Sequence, residues 1–503
     1  MQVMPQKSSS LIKVRFAPSP TGIPHIGGIR TALYNYLFAK RNNGKFLLRI
    51  EDTDAARSTA ESEENILNGF ARLGITFDEG VMSDGSEKGE YGPYRQSART
   101  DLYERYLQQL LDEHKAYYCF CSKEVLDAQR ESQQAAGQSP RYVGTCRSLA
   151  KDQVEAFQKD GKRGVIRIKV PDGKRKFMDL VRGEVEFELG LLGDMVIAKS
   201  LRAPLYNFVV VVDDFTMEIS HVIRGDDHIN NTPKQLVIAD ALGFSSPAYA
   251  HVPVILSATG KGKMSKRDGG TAIEEYLAAG YLPEALVNFL VLLGWHPGPE
   301  QLGLDGSPVG DREFFVVEEL VTLFDLDRVQ KGGARFSLDK LNHFNNQYIR
   351  RLEPSYIVKL LIDGDFVPQE WLEHRALLER VVAVEQERLA TLGDLRTEAS
   401  FFFEIPPYDP RLLVWKKSDA LSAEENLQAA REAIKAGADM MALAGERGRG
   451  DLLWPLRVAL SGLEHSPGPL EILTVIGKDE ALVRIDSALD KLSSLTTPQN
   501  FSQ

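Results

Sequence analysis

Between Arg15 and Arg30 the chain reads RFAPSPTGIPHIGGIR, residue types that suit a site for a phosphate. Pro18 and Pro20 remove backbone donors and favour extended geometry, whereas Gly22, Gly27 and Gly28 allow tight turns and close approach of a ligand to the backbone. A strand, a glycine-containing loop and a helix N-terminus aim free N–H groups and a positive dipole end at an anion, with His25 where that anion would sit. Residues 1–50 hold eight Lys or Arg and no Asp or Glu, and the first acid is Glu51. On a chain of net charge -11 this segregation points to a local polyanion or carboxylate site. A second basic run, Lys263 to Arg267, is flanked by Gly260, Gly262, Gly269 and Gly270 and forms a cationic loop. Together, His25 and a lysine of that loop can neutralise charge that builds on a triphosphate during displacement at its α-phosphorus.

The elements that position these residues follow from periodicity. LIKVRF, Leu11 to Phe16, alternates like a short strand, and Ile29 to Lys40 has the apolar spacing of a helix. KFLLRI, Lys45 to Ile50, reads as a buried strand that delivers Glu51, Asp52 and Asp54 at its C-terminal end, the edge at which parallel sheets bind ligands. Ser58 with Glu61 has capping-box spacing ahead of Ile66, Leu67, Phe70 and Leu73, Glu79 to Ser97 reads as an irregular surface loop, and Asp101 to Leu111 as helix. The β-branched run YNFVVVVDD, Tyr206 to Asp214, predicts a central strand, as do His221 to Arg224 and Tyr249 to Leu256. Asn231 or Thr232 caps a helix with Pro233 at its first position and Gly243 near its end. The expected class is an α/β Rossmann-like doubly wound parallel sheet with an inserted α+β domain. All-α C-terminal domains follow, because apolar stripes recur at helical spacing from about residue 340.

At 503 residues and 43% hydrophobic, the chain has length for roughly three to four domains. It has no apolar run long enough to span a bilayer, and MQVMPQKSSS lacks the apolar core of a secretion signal, so a cytoplasmic protein is expected. Cys119, Cys121 and Cys146, the three cysteines, cannot build a disulfide framework, but they cluster like a zinc knuckle. The position two after Cys146 is Ser148, a poor zinc ligand, Tyr142 is an uncommon substitute, and the expectation is no stoichiometric zinc. The bases Lys162, Arg163, Arg167, Lys169, Lys174, Arg175 and Lys176 face a single acid, Asp172, as an RNA phosphate contact or as a solvated hairpin.

PHIGG and KMSKR resemble the HIGH and KMSKS signatures of class I aminoacyl-tRNA synthetases. More narrowly, RFAPSPTG, RIEDTD, YNFVVVVDD, HVIRGDDH and KMSKRDG, in this order, resemble the bacterial-type glutamyl-tRNA synthetases, a likeness that covers the whole chain. Gly28 replaces the second histidine of HIGH, a variant usual in the glutamate enzymes. The resemblance implies a Rossmann catalytic domain in two halves, 1–116 and 205–256, around an acceptor-end-binding insert at 117–204. A KMSKR loop and stem-contact region, 257–340, and a helical anticodon-binding domain, 341–503, would complete it.

The implied reaction is activation of L-glutamate with ATP, carried with Mg²⁺, to glutamyl-adenylate, then transfer to the 3′ end of tRNA(Glu). By resemblance His25 and Lys266 are catalytic; Arg15, Ser19, Glu51, Tyr206 and Arg224 hold glutamate. Pro18, His25, Gly27 and Gly28 with Lys263, Ser265, Lys266 and Arg267 bind ATP. The chemistry agrees, since arginines at strand ends can fork onto carboxylates and Glu51 can pair an ammonium, although each of these types also serves in structural ion pairs. The family also implies a monomer that needs tRNA before it activates glutamate. Charging of tRNA(Gln) as well is the alternative. A glutaminyl enzyme would carry a β-barrel anticodon region, and a non-catalytic RNA-binding relative is opposed by intact PHIGG, Glu51 and KMSKR.

Overall fold

The computed structural model describes residues 11–54, 56–264 and 272–496. Two units divide the chain, one drawn from residues up to 275 and from 286–338, the other from 276–285 and from 339 onwards. No helix among the described residues is long and apolar enough to cross a membrane.

The first unit begins with β1 (Lys13–Phe16) and β2 (Lys45–Leu48), parallel with Val14 beside Phe46 and joined by α1 (Ile26–Arg41). Their residues are almost all buried, as in a parallel sheet covered on both faces. After α2 (Ala60–Arg72), β3 (Glu79–Val81) adds parallel to β2, and β4 (Glu87–Lys88) returns against it. The stretch expected as an irregular loop therefore supplies a sheet edge. Glu79 accounts for it: the buried carboxylate pairs with Lys13 Nζ at 3.1 Å and with Lys45, contacts that a surface loop would leave in water. The cap of α2 is Thr59 rather than Ser58, with Thr59 Oγ1 accepting from Ser62 N at 3.1 Å.

α3 (Thr100–Asp112), β5 (Ala116–Cys119), α4 (Lys123–Ala135), α5 (Lys151–Lys159) and β6 (Val165–Ile168) follow. The hairpin of β7 (Lys174–Asp179) and β8 (Gly183–Glu188) precedes β9 (Val196–Ser200) and β10 (Ala203–Pro204). The antiparallel sheet has the order β10-β9-β6-β5. The hairpin leaves it, and its bases are answered across the strands: Lys174 pairs with Glu186 at 2.7 Å and Lys176 with Glu184 at 2.9 Å, as in the solvated-hairpin alternative.

YNFVVVVDD is not a strand; it forms α6 (Tyr206–Thr216), in which every residue from Phe208 to Asp214 is buried. A short apolar run carries no periodicity that separates helix from strand. The next elements are β11 (His221–Gly225), α7 (Thr232–Leu242, closed by Gly243 in the left-handed conformation), β12 (Ala248–Val252) and β13 (Ile255–Leu256). Pro253 divides the strand expected over Tyr249 to Leu256, as a residue without an N–H must. β11 and β12 are parallel, and β7 joins them with Asp179 beside Tyr249. At the other side of β11, Ser220 N donates to Lys13 O at 2.9 Å, which brings β1 and β11 together at their amino ends. Their ladders stay separate, and the carboxyl ends, Phe16 and Gly225, flank a cavity. A gap between diverging strands of a parallel fold is where ligands bind.

The second unit is helical, with a core that includes Leu361, Val381, Leu427, Leu456 and Ile485. Buried Arg484 donates to the carbonyls of Phe401, Leu460 and Phe402 at 2.7, 2.7 and 3.1 Å, which satisfies chain ends that the core would otherwise strand.

Candidate functional site

The cavity between β1 and β11 has a volume of about 520 Å³. From the sequence readings, Arg15, Pro18, Ser19, Glu51, Tyr206 and Arg224 line it, with His25, Gly27, Gly28 and Lys263 on the side of α1 and β13. Ser265, Lys266 and Arg267 lie outside the described residues. The described flanks of that run are held at the cavity, since Met264 N donates to Ile255 O at 2.9 Å and Ala272 pairs with His25.

His25 is the N-cap of α1, and its Nδ1 accepts from Gly27 N at 3.0 Å. That bond fixes the tautomer, because an accepting Nδ1 leaves the ring proton on Nε2. Burial, then the neighbouring Lys263, holds the imidazole pKa below its usual value, so His25 is neutral at pH 7. It brings a hydrogen-bond donor, and the positive charge expected of this motif must come from the lysines. Gly27 is needed for the approach, because a Cβ there would lie 3.2 Å from His25 Nδ1.

Beneath the cavity lies a buried network that the sequence reading missed. Arg15 forks onto Asp214 at 3.1 and 3.3 Å; Arg49 reaches Asp214 at 2.7 Å and Glu51 at 3.0 Å. Arg99 donates to Asp213 at 2.8 Å, and Tyr103 and Gln96 donate to the same carboxylate. Helical spacing turns Asp213 toward Arg99 and Asp214 toward Arg15, with Arg49 ion-paired to both, a geometry hidden while the run reads as strand. Burial lowers the Arg49 pKa, but Asp214, Asp213 and Glu51 outweigh it and the net shift is upward, so Arg49 is a fixed cation. Burial raises the Glu51 pKa and Arg49 opposes it. Tyr206 Oη lies 3.2 Å from His228 Nδ1.

Arg224 stands apart. Its Nε donates to His251 Nε2 at 3.1 Å and its Nη2 to Thr232 Oγ1 at 2.8 Å, while Nη1 is buried without a partner. An orphaned, buried guanidinium nitrogen at a cavity wall fits an incoming carboxylate.

The three cysteines also come together, their sulfurs within 4.8 Å of one another. Tyr142 Oη completes the group, 3.4 Å from Cys119 Sγ and 3.5 Å from Cys121 Sγ, with Cys121 and Cys146 sulfurs 3.6 Å apart. Ligands on one tetrahedral zinc at about 2.3 Å stand about 3.8 Å from each other, so this donor set fits such an ion.

Comparison with known proteins gives two family matches: "tRNA synthetases class I (E and Q), catalytic domain" over residues 11–343, and "Anticodon binding domain" over 349–489. A glutamate–tRNA ligase of Carboxydothermus hydrogenoformans is 44% identical, covering 94% of this chain and 99% of that one. One from Desulforamulus reducens is 42% identical over 95% and 99%. The crystal structure of the glutamate–tRNA synthetase from Elizabethkingia anophelis superposes with a TM-score of 0.80 at 33% identity, covering 96% of this chain and 100% of that one.

Proposed function

The chain belongs to the class I tRNA synthetases of the glutamate and glutamine type, and from that premise we propose how its cavity works. It is an ATP-dependent aminoacyl-tRNA ligase that joins glutamate to tRNA. In our reading Arg224 and Arg15 bind glutamate carboxylate oxygens, Glu51 pairs the ammonium, and Tyr206 and Ser19 close the same pocket. The observation that carries it is the buried Arg224 Nη1 without a partner, in one cavity with a histidine-capped helix N-terminus.

ATP, carried with Mg²⁺, would be held by Pro18, His25, Gly27, Gly28 and Lys263 of the cavity, and the sequence adds Ser265, Lys266 and Arg267 to that set. The attacking group is the substrate's own carboxylate, so the protein supplies position and charge rather than a nucleophile. His25 donates from Nε2 to a phosphate oxygen, and Lys266 stabilises the charge that builds as pyrophosphate leaves. Transfer to the terminal adenosine of tRNA follows, and cytoplasmic location belongs to this reading because its substrates are there. Glutamate-dependent exchange of pyrophosphate into ATP tests it. We expect exchange only when tRNA(Glu) is present; exchange with another amino acid, or none under any condition, would refute the assignment.

The cysteine group is read as a zinc site. Tyr142 provides the fourth donor whose absence carried the opposite expectation. Burial, then the bond to Cys119, pushes the phenol pKa upward, so an incoming cation must displace its proton. Elemental analysis should find about one zinc per chain, and Tyr142→Phe should speed its loss to a chelator. A protein purified without chelators that lacks zinc would restore the metal-free reading.

A further inference from the structure

The arginines around the cavity differ in what neutralises them. Arg15, Arg49 and Arg99 each donate to a carboxylate. Arg224 is 6% exposed, has no carboxylate partner among the described residues, and is held instead by an imidazole and a hydroxyl. A carboxylate does lie in that direction, one ring further on: His251 Nδ1 is 2.6 Å from Asp179 Oδ2, with both side chains fully buried. Arg224 Nε–H needs an acceptor, so His251 Nε2 is unprotonated and the ring proton sits on Nδ1, donated to Asp179. Asp179 is fixed in turn by the N–H groups of Val181 and Arg182, at 3.0 and 2.8 Å.

We propose that His251, set in this tautomer by Asp179, is the positioning residue for Arg224, orienting the guanidinium while keeping the Asp179 charge a ring's width away from it. Direct contact with Asp179 would give Arg224 a permanent counter-ion, as Asp214 gives Arg15, and leave less for a ligand to gain. Two neutral acceptors fix the plane of the group without cancelling its charge, and a substrate carboxylate becomes its counter-ion. The proposal rests on the reading of Arg224 as a glutamate contact. It also gives the β7–β8 hairpin a part in the site, because pairing of β7 with β12 sets Asp179 beside His251.

Protonation of His251 would remove the acceptor and set a second cation against Arg224. Glutamate affinity then falls as pH drops through the ring's pKa, which burial holds below its usual value. The groups that face this ring are Asp179, Arg224, Asp226, His228 and Tyr249, and His228 can titrate in the same range. The test compares His251→Phe, His251→Gln and Arg224→Leu in steady-state aminoacylation, with thermal unfolding as a check of folding. His251→Phe should raise KM for glutamate about tenfold while KM for ATP stays within about twofold. His251→Gln, whose Oε1 can take the place of Nε2 as acceptor, should recover most of that loss and shift the acid limb of the profile of kcat/KM for glutamate, leaving only what His228 contributes.

A normal glutamate KM in a folded His251→Phe, an equal rise for both substrates, or an unchanged acid limb in His251→Gln overturns the proposal. Should His251→Phe not fold, the pH profile of His251→Gln decides alone. If Arg224→Leu affects glutamate selectively but His251→Phe does not, the glutamate reading stands and the positioning role falls. If Arg224→Leu affects both substrates equally, both fall.

Discussion

Arg224→Leu should raise KM for glutamate about a hundredfold and leave KM for ATP within about twofold. Truncating one partner of a buried, charge-assisted contact costs about 2–5 kcal/mol. The lower part of that range applies because Arg15 remains as a second cation, and about 2.7 kcal/mol is a hundredfold. Leucine occupies comparable space, so β11 keeps its place between β1 and β12, while His251 Nε2 and Thr232 Oγ1 lose their donor. Steady-state kinetics with each substrate varied separately decides the matter. Parallel rises for glutamate and ATP would make Arg224 a structural residue.

Lys266→Ala should have the second large effect, and it should fall on rate rather than on binding. In the proposed reading the charge of Lys266 is wanted chiefly when negative charge builds on the leaving pyrophosphate, so glutamate affinity should stay near that of the parent. Loss of one such transition-state contact costs about 3–4 kcal/mol, on the order of a hundred- to a thousandfold in adenylate formation. Rapid-quench measurement of the first turnover reads that step directly, and an unchanged activation rate would remove Lys266 from the reaction. In the proposed reading His25 would act alongside as a neutral donor, because Gly27 N–H occupies Nδ1 and burial with Lys263 opposes a second proton.

The sequence made the first strand, loop and helix legible because prolines, glycines and a histidine at such spacing leave few alternatives. What was misread or missed has separate physical causes. In YNFVVVVDD every position from Phe208 to Val212 is apolar, so neither periodicity shows, and only the buried arginines around α6 reveal why two adjacent acids were needed. Ser58 and Thr59 both suit an N-cap, and one residue of backbone path decides between them. His251 is a lone histidine in an apolar strand; its acceptor role depends on Asp179, seventy-two positions earlier in the chain, which no local pattern reports. Tyr142 is similar, since the turn that returns the chain to Cys146 sets its hydroxyl among the sulfurs.

The Asp213–Asp214 pair also has a consequence for the making of the chain. Arg15, Arg49 and Arg99 find their carboxylates 199, 165 and 114 positions later, on a single helix. At about 5–20 residues per second, on the order of ten seconds separates synthesis of Arg99 from that of Asp213. Until then Arg15 and Arg99 lack the carboxylates they pair with in the folded chain, and Arg49 has Glu51 alone.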